Sequence, residues 1–178
     1  MKNKRSILFI VLLLIIIPEL VFACSCIGKN SVKKEIRKSD VVLVGTIISH
    51  RVININDTIS KIITKDTAIY DILTIQKVIY KVEVNLLYKG KIQNKIIAIV
   101  TGVGNGDCGF QFKENEKYII YADYKNDIGC FLRKKKMLYT DICKRTVMYN
   151  RDEITKIEHI RAVHKRIKDK VHPANRNF

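Results

Sequence analysis

The chain has 178 residues, 47% hydrophobic and 28% charged, with two prolines and no tryptophan. That leaves room for one ordinary domain plus a short appendage, and it excludes repeat arrays and low-complexity chains. The formal net charge of +16 favours acidic partners such as anionic membranes or wall polymers, nucleic acid or an acidic protein, although a solvated basic surface accounts for it without any ligand.

The first 23 residues read as a signal peptide. Lys2, Lys4 and Arg5 form a positive start, Ile7 to Ile17 is an unbroken apolar run, and Pro18 breaks the helix. Val21-Phe22-Ala23 then suits a cut before Cys24. The run is short for a membrane span. The leader's three cations and Glu19 account for two of the charges, so the mature part keeps +14. Cys24 is then either a plain N-terminal residue or a lipidated one. Val21 and Phe22 are poor lipobox residues and favour plain cleavage, whereas an odd count of five cysteines points the other way.

Beyond Cys24-Ser25-Cys26, Ser31 to Lys38 predicts a short helix capped by Ser31. Ser39 to His50 is a β-rich run with Gly45 inside, the mark of a bulge. Arg51 to Asp66 is polar and weakly patterned, and is expected to be a long exposed loop. Strand character returns at Ala68. Tyr80, Val82, Val84, Leu86 and Tyr88 alternate with Lys81, Glu83, Asn85 and Lys89, which predicts a half-buried strand with Leu87 on its outer face.

Lys89-Gly90-Lys91 is a turn and Lys95 to Thr101 the next strand. Gly102, Gly104, Asn105 and Gly106 suggest a flexible loop leading to Cys108. Glu116 to Asp123 and Phe131 to Ile142 read as a strand pair around a turn at Lys125-Asn126-Asp127. Ile154, Ile157, Ile160, Val163, Ile167 and Val171 recur at helical spacing among basic residues, so the tail is an amphipathic basic helix. Its apolar stripe is expected to pack on the barrel through Ile157, Ile160 and Ile167. The alternative is attachment to an anionic surface or membrane.

In an exported chain the cysteines read as structural disulfides. Five of them permit several pairings. No Ser-His-Asp or Cys-His constellation, HExxH motif or paired-carboxylate spacing is visible, so neither an enzyme nor a cofactor is expected. His159 and His164 are five apart and share no helix face suited to a metal. The run from Arg133 to Lys136 and the charge suit nucleic acid, but export argues against such a partner.

The order of several short signatures is distinctive. Cys24-Ser25-Cys26 is followed by Ser39-Asp40-Val41-Val42, then Tyr88-Lys89-Gly90, Asp107-Cys108-Gly109, Lys117-Tyr118-Ile119-Ile120 and Cys143. From Cys24 to Thr146 this resembles the inhibitory domain of the tissue inhibitors of metalloproteinases. The resemblance implies a mainly β fold: a netrin-like, OB-fold-like five-stranded β-barrel, here with a short helix near its N-terminus and an amphipathic C-terminal helix. The expected division is residues 1–23 as signal peptide, 24–148 as barrel and 149–178 as basic helix and tail.

Carried over by position, the resemblance pairs Cys24 with Cys108 and Cys26 with Cys143 and leaves Cys130 unpaired. It also implies a zinc metalloprotease as partner. Cys24 would chelate the target's zinc through its amine and carbonyl, and Ser25 would enter the specificity pocket. Cys26 and Ile27 would lie along the primed side, with Gly106 and Asp107 as a second contact ridge. The alternative is a non-inhibitory extracellular module of the same fold, in which the N-terminal cysteines are only a staple or Cys24 carries lipid.

Overall fold

In the computed structural model the described residues are 26, 28, 30–63, 68–104, 106–126 and 136–171. Helix α1 (Val32–Lys38) precedes strands β1 (Val41–Ile63), β2 (Ala68–Lys89), β3 (Ile96–Gly102), β4 (Lys117–Asn126), β5 (Lys136–Tyr139) and β6 (Val147–Met148), and helix α2 (Arg151–Val171) follows. The fold is mainly β. Strand neighbours run β1-β2-β3-β5-β4, and β4 pairs back onto β1 from Val41↔Ala122 to Thr46↔Lys117, which closes a five-strand ring. β3 and β5 are parallel while the other pairs are antiparallel, and β6 adds to β4 outside the ring. Closure removes the exposed edges that an open sheet of this size would carry.

Two separate clusters are buried. Inside the ring lie Val41, Leu43, Ile47, Val78, Tyr80, Val82, Ile99, Phe112, Tyr118, Ile120, Ala122 and Leu138. Tyr80, Phe110, Phe112 and Tyr118 pack at centroid separations between 4.6 and 6.0 Å, edge to face except for the tilted Phe110–Phe112 pair. Their phenols are not wasted in an apolar interior: Lys113 N donates to the Tyr118 hydroxyl at 3.0 Å. On the outside of β1 and β4, Val42, Val44, Ile119 and Tyr121 form a second cluster with Val32, Tyr88 and Ile157, flanked by Ile36, Ile154 and Ile160. So α2 docks through Ile154, Ile157 and Ile160, whereas Val163 is 39% exposed. The side chain of Ile167 lies outside the described residues.

Helix α1 forms where Ser31 caps it, accepting a hydrogen bond from Lys34 N, and it ends at Ser39. Its last carbonyls are held by Lys89, whose Nζ donates to Ile36 O at 2.8 Å, Arg37 O at 3.1 Å and Ser39 O at 2.5 Å. A cation at a helix C-terminus complements the helix dipole, and here it also fixes α1 to the end of β2. Gly90 follows at φ +98, and a side chain there would meet Asp40 O at 2.9 Å.

Three expectations are corrected. Residues 51–63 are not a loop: β1 continues to Ile63 and pairs with β2 as far as Ile63↔Ala68, a ribbon projecting from the barrel. Its ladder with β2 holds it, and a segment paired with one neighbour outside the ring need show no alternating burial pattern in sequence. The β2 alternation also changes phase. Register shifts at Val44/Gly45 and Val42/Leu43 leave Asn85 and Tyr88 as extra residues on β2. Thr46 Oγ1 donates to the bulged Asn85 Oδ1 at 2.8 Å. Leu86 therefore turns outward at 47% exposure, Leu87 packs on the interior, and Tyr88 reaches the cluster beneath α2. Finally, Lys125 and Asn126 are strand rather than turn, paired with Met137 and Lys136.

Candidate functional site

The N-terminal segment is fixed by residues 143–146, a stretch of four that binds four different parts of the molecule. Cys143 is disulfide-bonded to Cys26, with Cα atoms 5.2 Å apart. Lys144 Nζ pairs with Asp123 of β4 and lies 3.8 Å from Glu35 of α1. Arg145 forms a two-pronged bond to Glu153 of α2, Nε to Oε1 at 2.8 Å and NH2 to Oε2 at 2.6 Å. Its remaining nitrogen donates to Asn30 O at 2.8 Å. Thr146 Oγ1 accepts from Tyr121 N at 3.1 Å and shares a 2.7 Å bond with Thr140. The local turn that sets up this stretch comes from Asp141, whose carboxylate accepts from Cys143 N and Lys144 N.

The Arg145–Glu153 pair is largely out of water, with side chains 21% and 5% exposed. Burial opposes ionisation of Glu153, but Arg145 and the Tyr121 hydroxyl, which donates to Oε1 at 2.8 Å, outweigh it and hold the carboxyl below its ordinary range. The same carboxylate and burial push the Tyr121 phenol well above its usual value. Asn150 caps α2 by accepting from Glu153 N at 2.9 Å, so the helix start places this carboxylate. Asn30 Nδ2 donates to the buried Glu35 at 2.7 Å. The N-terminal segment is thus tied at Cys26 by one covalent link and at Asn30 by two charge-assisted bonds.

The second expected ridge lies beside it. Ile142 N donates to Cys108 O at 3.0 Å, which sets the loop carrying Gly106, Asp107 and Cys108 next to Cys143. Contrary to its glycine-rich appearance, this loop is organised. The Asp107 carboxylate accepts from Val103 N at 2.8 Å, Gly104 N at 2.8 Å and Gly109 N at 3.2 Å. Burial works against its charge, but these three amides and Lys77 prevail and keep its pKa lowered. Asp107 therefore turns its carboxylate inward to the loop as well as standing beside Gly106. Gly109 is required because a side chain there would strike Gly102 O. Cys108 holds φ +58, a left-handed conformation that costs a side-chain-bearing residue about 1–2 kcal/mol, and it is disulfide-bonded.

The structure thus brings Cys26, Cys108, Cys143, Gly106 and Asp107 into one patch. Cys24, Ser25, Ile27 and Cys130 lie outside the described residues, and with them the Cys24 end of the expected bond to Cys108. Among the described residues no group of three His, Cys, Asp or Glu side chains could hold a metal ion. Sequence reading passed over Lys144, Arg145 and Glu153. One signal was available: Glu153 occupies the helical stripe that continues through Ile157 and Ile160, and a charge in an apolar stripe implies a partner.

Comparison with known families adds an independent finding. A family model described as tissue inhibitor of metalloproteinase matches residues 22–134, well over half of the chain. The match ends short of Thr146, so β5, Cys143 and α2 fall outside it. No curated protein matches the chain.

Proposed function

Because the chain belongs to the tissue inhibitor of metalloproteinase family, we propose that it is an exported inhibitor of zinc metalloendopeptidases that acts through Cys24. The observation that carries this reading is the tethering of the segment after Cys24. Cys26 is bonded to Cys143, and the Asp107 loop lies alongside it. A segment anchored at Cys26 beside a loop held by Asp107 is a contact surface with part of its ordering cost already met.

The chemistry follows from that segment. The α-amine and carbonyl of one residue form a five-membered chelate able to replace the water at the open position of a catalytic zinc. An α-amine with a pKa of about 7.7–8.0 gives up its proton at modest cost near neutral pH. Ser25 then enters the pocket beside the zinc, Cys26 and Ile27 follow along the primed side, and Gly106 and Asp107 supply the second ridge.

Adding one alanine before Cys24 tests the mechanism. The extended chain should keep the melting curve of the authentic one and lose inhibition of a panel of zinc endopeptidases. Equal inhibition by both forms refutes chelation. A diacylglyceryl mass on Cys24 with no inhibition assigns the chain instead to a membrane-held module of the same fold, since the thioether occupies Sγ, excludes a disulfide there and holds the N-terminus at a bilayer.

A further inference from the structure

Away from the cysteine patch, α1 and α2 border a groove made of two adjoining cavities of about 620 and 510 Å³ that share Lys33, His159 and Ile160. Lys33 and Arg37, one turn apart on α1, line it from one side, and Lys156 and His164 line it from α2. Its apolar floor is Val32 and Ile160 and continues to the exposed Val163.

Among the described residues no carboxylate lines either cavity, and the lining Arg145 is paired with Glu153. Three acidic residues of the two helices are engaged elsewhere, while Asp152 stands one turn before Lys156 on α2. Glu35 is buried against Asn30 and Ser39, Glu153 against Arg145 and Tyr121, and Glu158 accepts from the Tyr88 hydroxyl at 3.3 Å. Arg161, over the Tyr88 ring, belongs to that other side of α2 as well. Beyond Ile160, residues 161–166 of α2 are all exposed. A concave surface whose Lys33, Arg37 and Lys156 border an apolar strip is complementary to an interface carrying phosphate groups above hydrocarbon.

We propose that this α1–α2 groove docks on anionic phospholipid bilayers, with Lys33, Arg37 and Lys156 among the phosphates and Val163 at the hydrocarbon boundary. A soluble polyanion would need the cations but not the apolar strip, which is why the membrane is the better fit. The surface is distinct from the cysteine patch, so binding requires neither a free Cys24 amine nor inhibition.

Co-sedimentation with vesicles tests it, using the chain from Cys24 onward without lipid, once its melting curve is established. Vesicles of phosphatidylcholine mixed with phosphatidylglycerol should retain the protein, and phosphatidylcholine alone should not. Lys33→Gln and Arg37→Gln should each weaken partitioning about fivefold, and Val163→Asp should weaken it further without moving the melting curve. Lys81→Gln and Lys113→Gln, which remove the same charge from exposed positions elsewhere, should change it little. Equal losses from both pairs of lysine and arginine changes overturn the site in favour of bulk charge. Unaltered binding by Val163→Asp together with equally tight binding of inorganic polyphosphate reassigns the groove to a soluble polyanion and overturns the membrane proposal.

Discussion

The inside of the barrel and the seam beneath the two helices are both buried, yet they are built from different materials. The interior cluster is aliphatic and aromatic without a single charged residue. The seam holds Glu35, Ser39, Thr140, Thr146 and Glu153, all less than 9% exposed. Apolar packing is forgiving, because volume-conserving exchanges cost little. A buried ionic network is not forgiving: it contributes modestly when whole and costs heavily when one member is removed. The seam is also where the N-terminal segment is tied down. Position there is therefore specified by directional bonds, while the interior supplies bulk stability.

The largest expected effect is at the centre of that network. Glu153→Ala leaves the Arg145 guanidinium and the Tyr121 hydroxyl without their acceptor and should cost about 3–4 kcal/mol, read from urea or thermal unfolding. Glu153→Gln, which keeps an acceptor, should cost less. The acid limb should report the same group. Its folded pKa lies below the ordinary value of 4.5. Its contribution is therefore fully present above 4.5 and is lost as pH falls toward and through the lowered folded value. Stability of the Gln variant should fall less steeply over that range. A wild-type loss no steeper than the variant's would mean that the network adds nothing, and the contrast between seam and interior would collapse.

How far these regions were legible in the sequence differs for the same reason. The barrel strands announce themselves because one-sided burial imposes alternation, and Gly45 marked a real bulge, where a side chain would strike Val82. The helices announce themselves through Ser31 and the isoleucine spacing. The ribbon beyond His50 did not, since exposed residues such as Arg51 and Asn54 carry no burial pattern, and the cross-strand bond from the Gln76 amide to Asn54 at 3.3 Å leaves no periodic signal. The seam was legible least. Arg145 and Glu153 are eight residues apart, across a strand and a helix start, so no helical or strand period relates them. The cysteine patch was readable only through the order of its signatures, because five cysteines alone fix no pairing.

A middle-sized effect should come from the Asp107 loop, which borders the seam at Cys108 but uses one carboxylate in place of a network. Asp107→Asn keeps one acceptor oxygen for three amides, so about 1–2 kcal/mol should be lost, and hydrogen exchange at Val103, Gly104 and Gly109 should quicken. Asp107 is 27% exposed, and water replaces part of what is removed. If the inhibitory reading holds, inhibition should weaken more than stability. If exchange at those amides is unchanged, the loop is held by its glycines and the disulfide at Cys108, and Asp107 serves only as surface.

The last comparison, which ends on the smallest effect, tests where interior ends and seam begins, on three consecutive residues of β2. Strict alternation would place Leu86 inside and Leu87 outside, and the bulge at Asn85 reverses them. Leu87 is only partly buried, so Leu87→Ala should cost about 2 kcal/mol, at the low end for a leucine losing its contacts. Leu86→Ala, at a position nearly half exposed, should change unfolding free energy by about 0.5 kcal/mol or less. Tyr88→Phe sharpens the boundary from the other side. Its ring stays in the cluster under α2, and only the 3.3 Å bond to Glu158 is lost, a loss of about 0.5–1 kcal/mol for a partly solvated hydroxyl. The order Leu87, Tyr88, Leu86 distinguishes the bulged strand from a regular one. A regular strand puts Leu86 first, because its side chain would then be the one that fills the barrel.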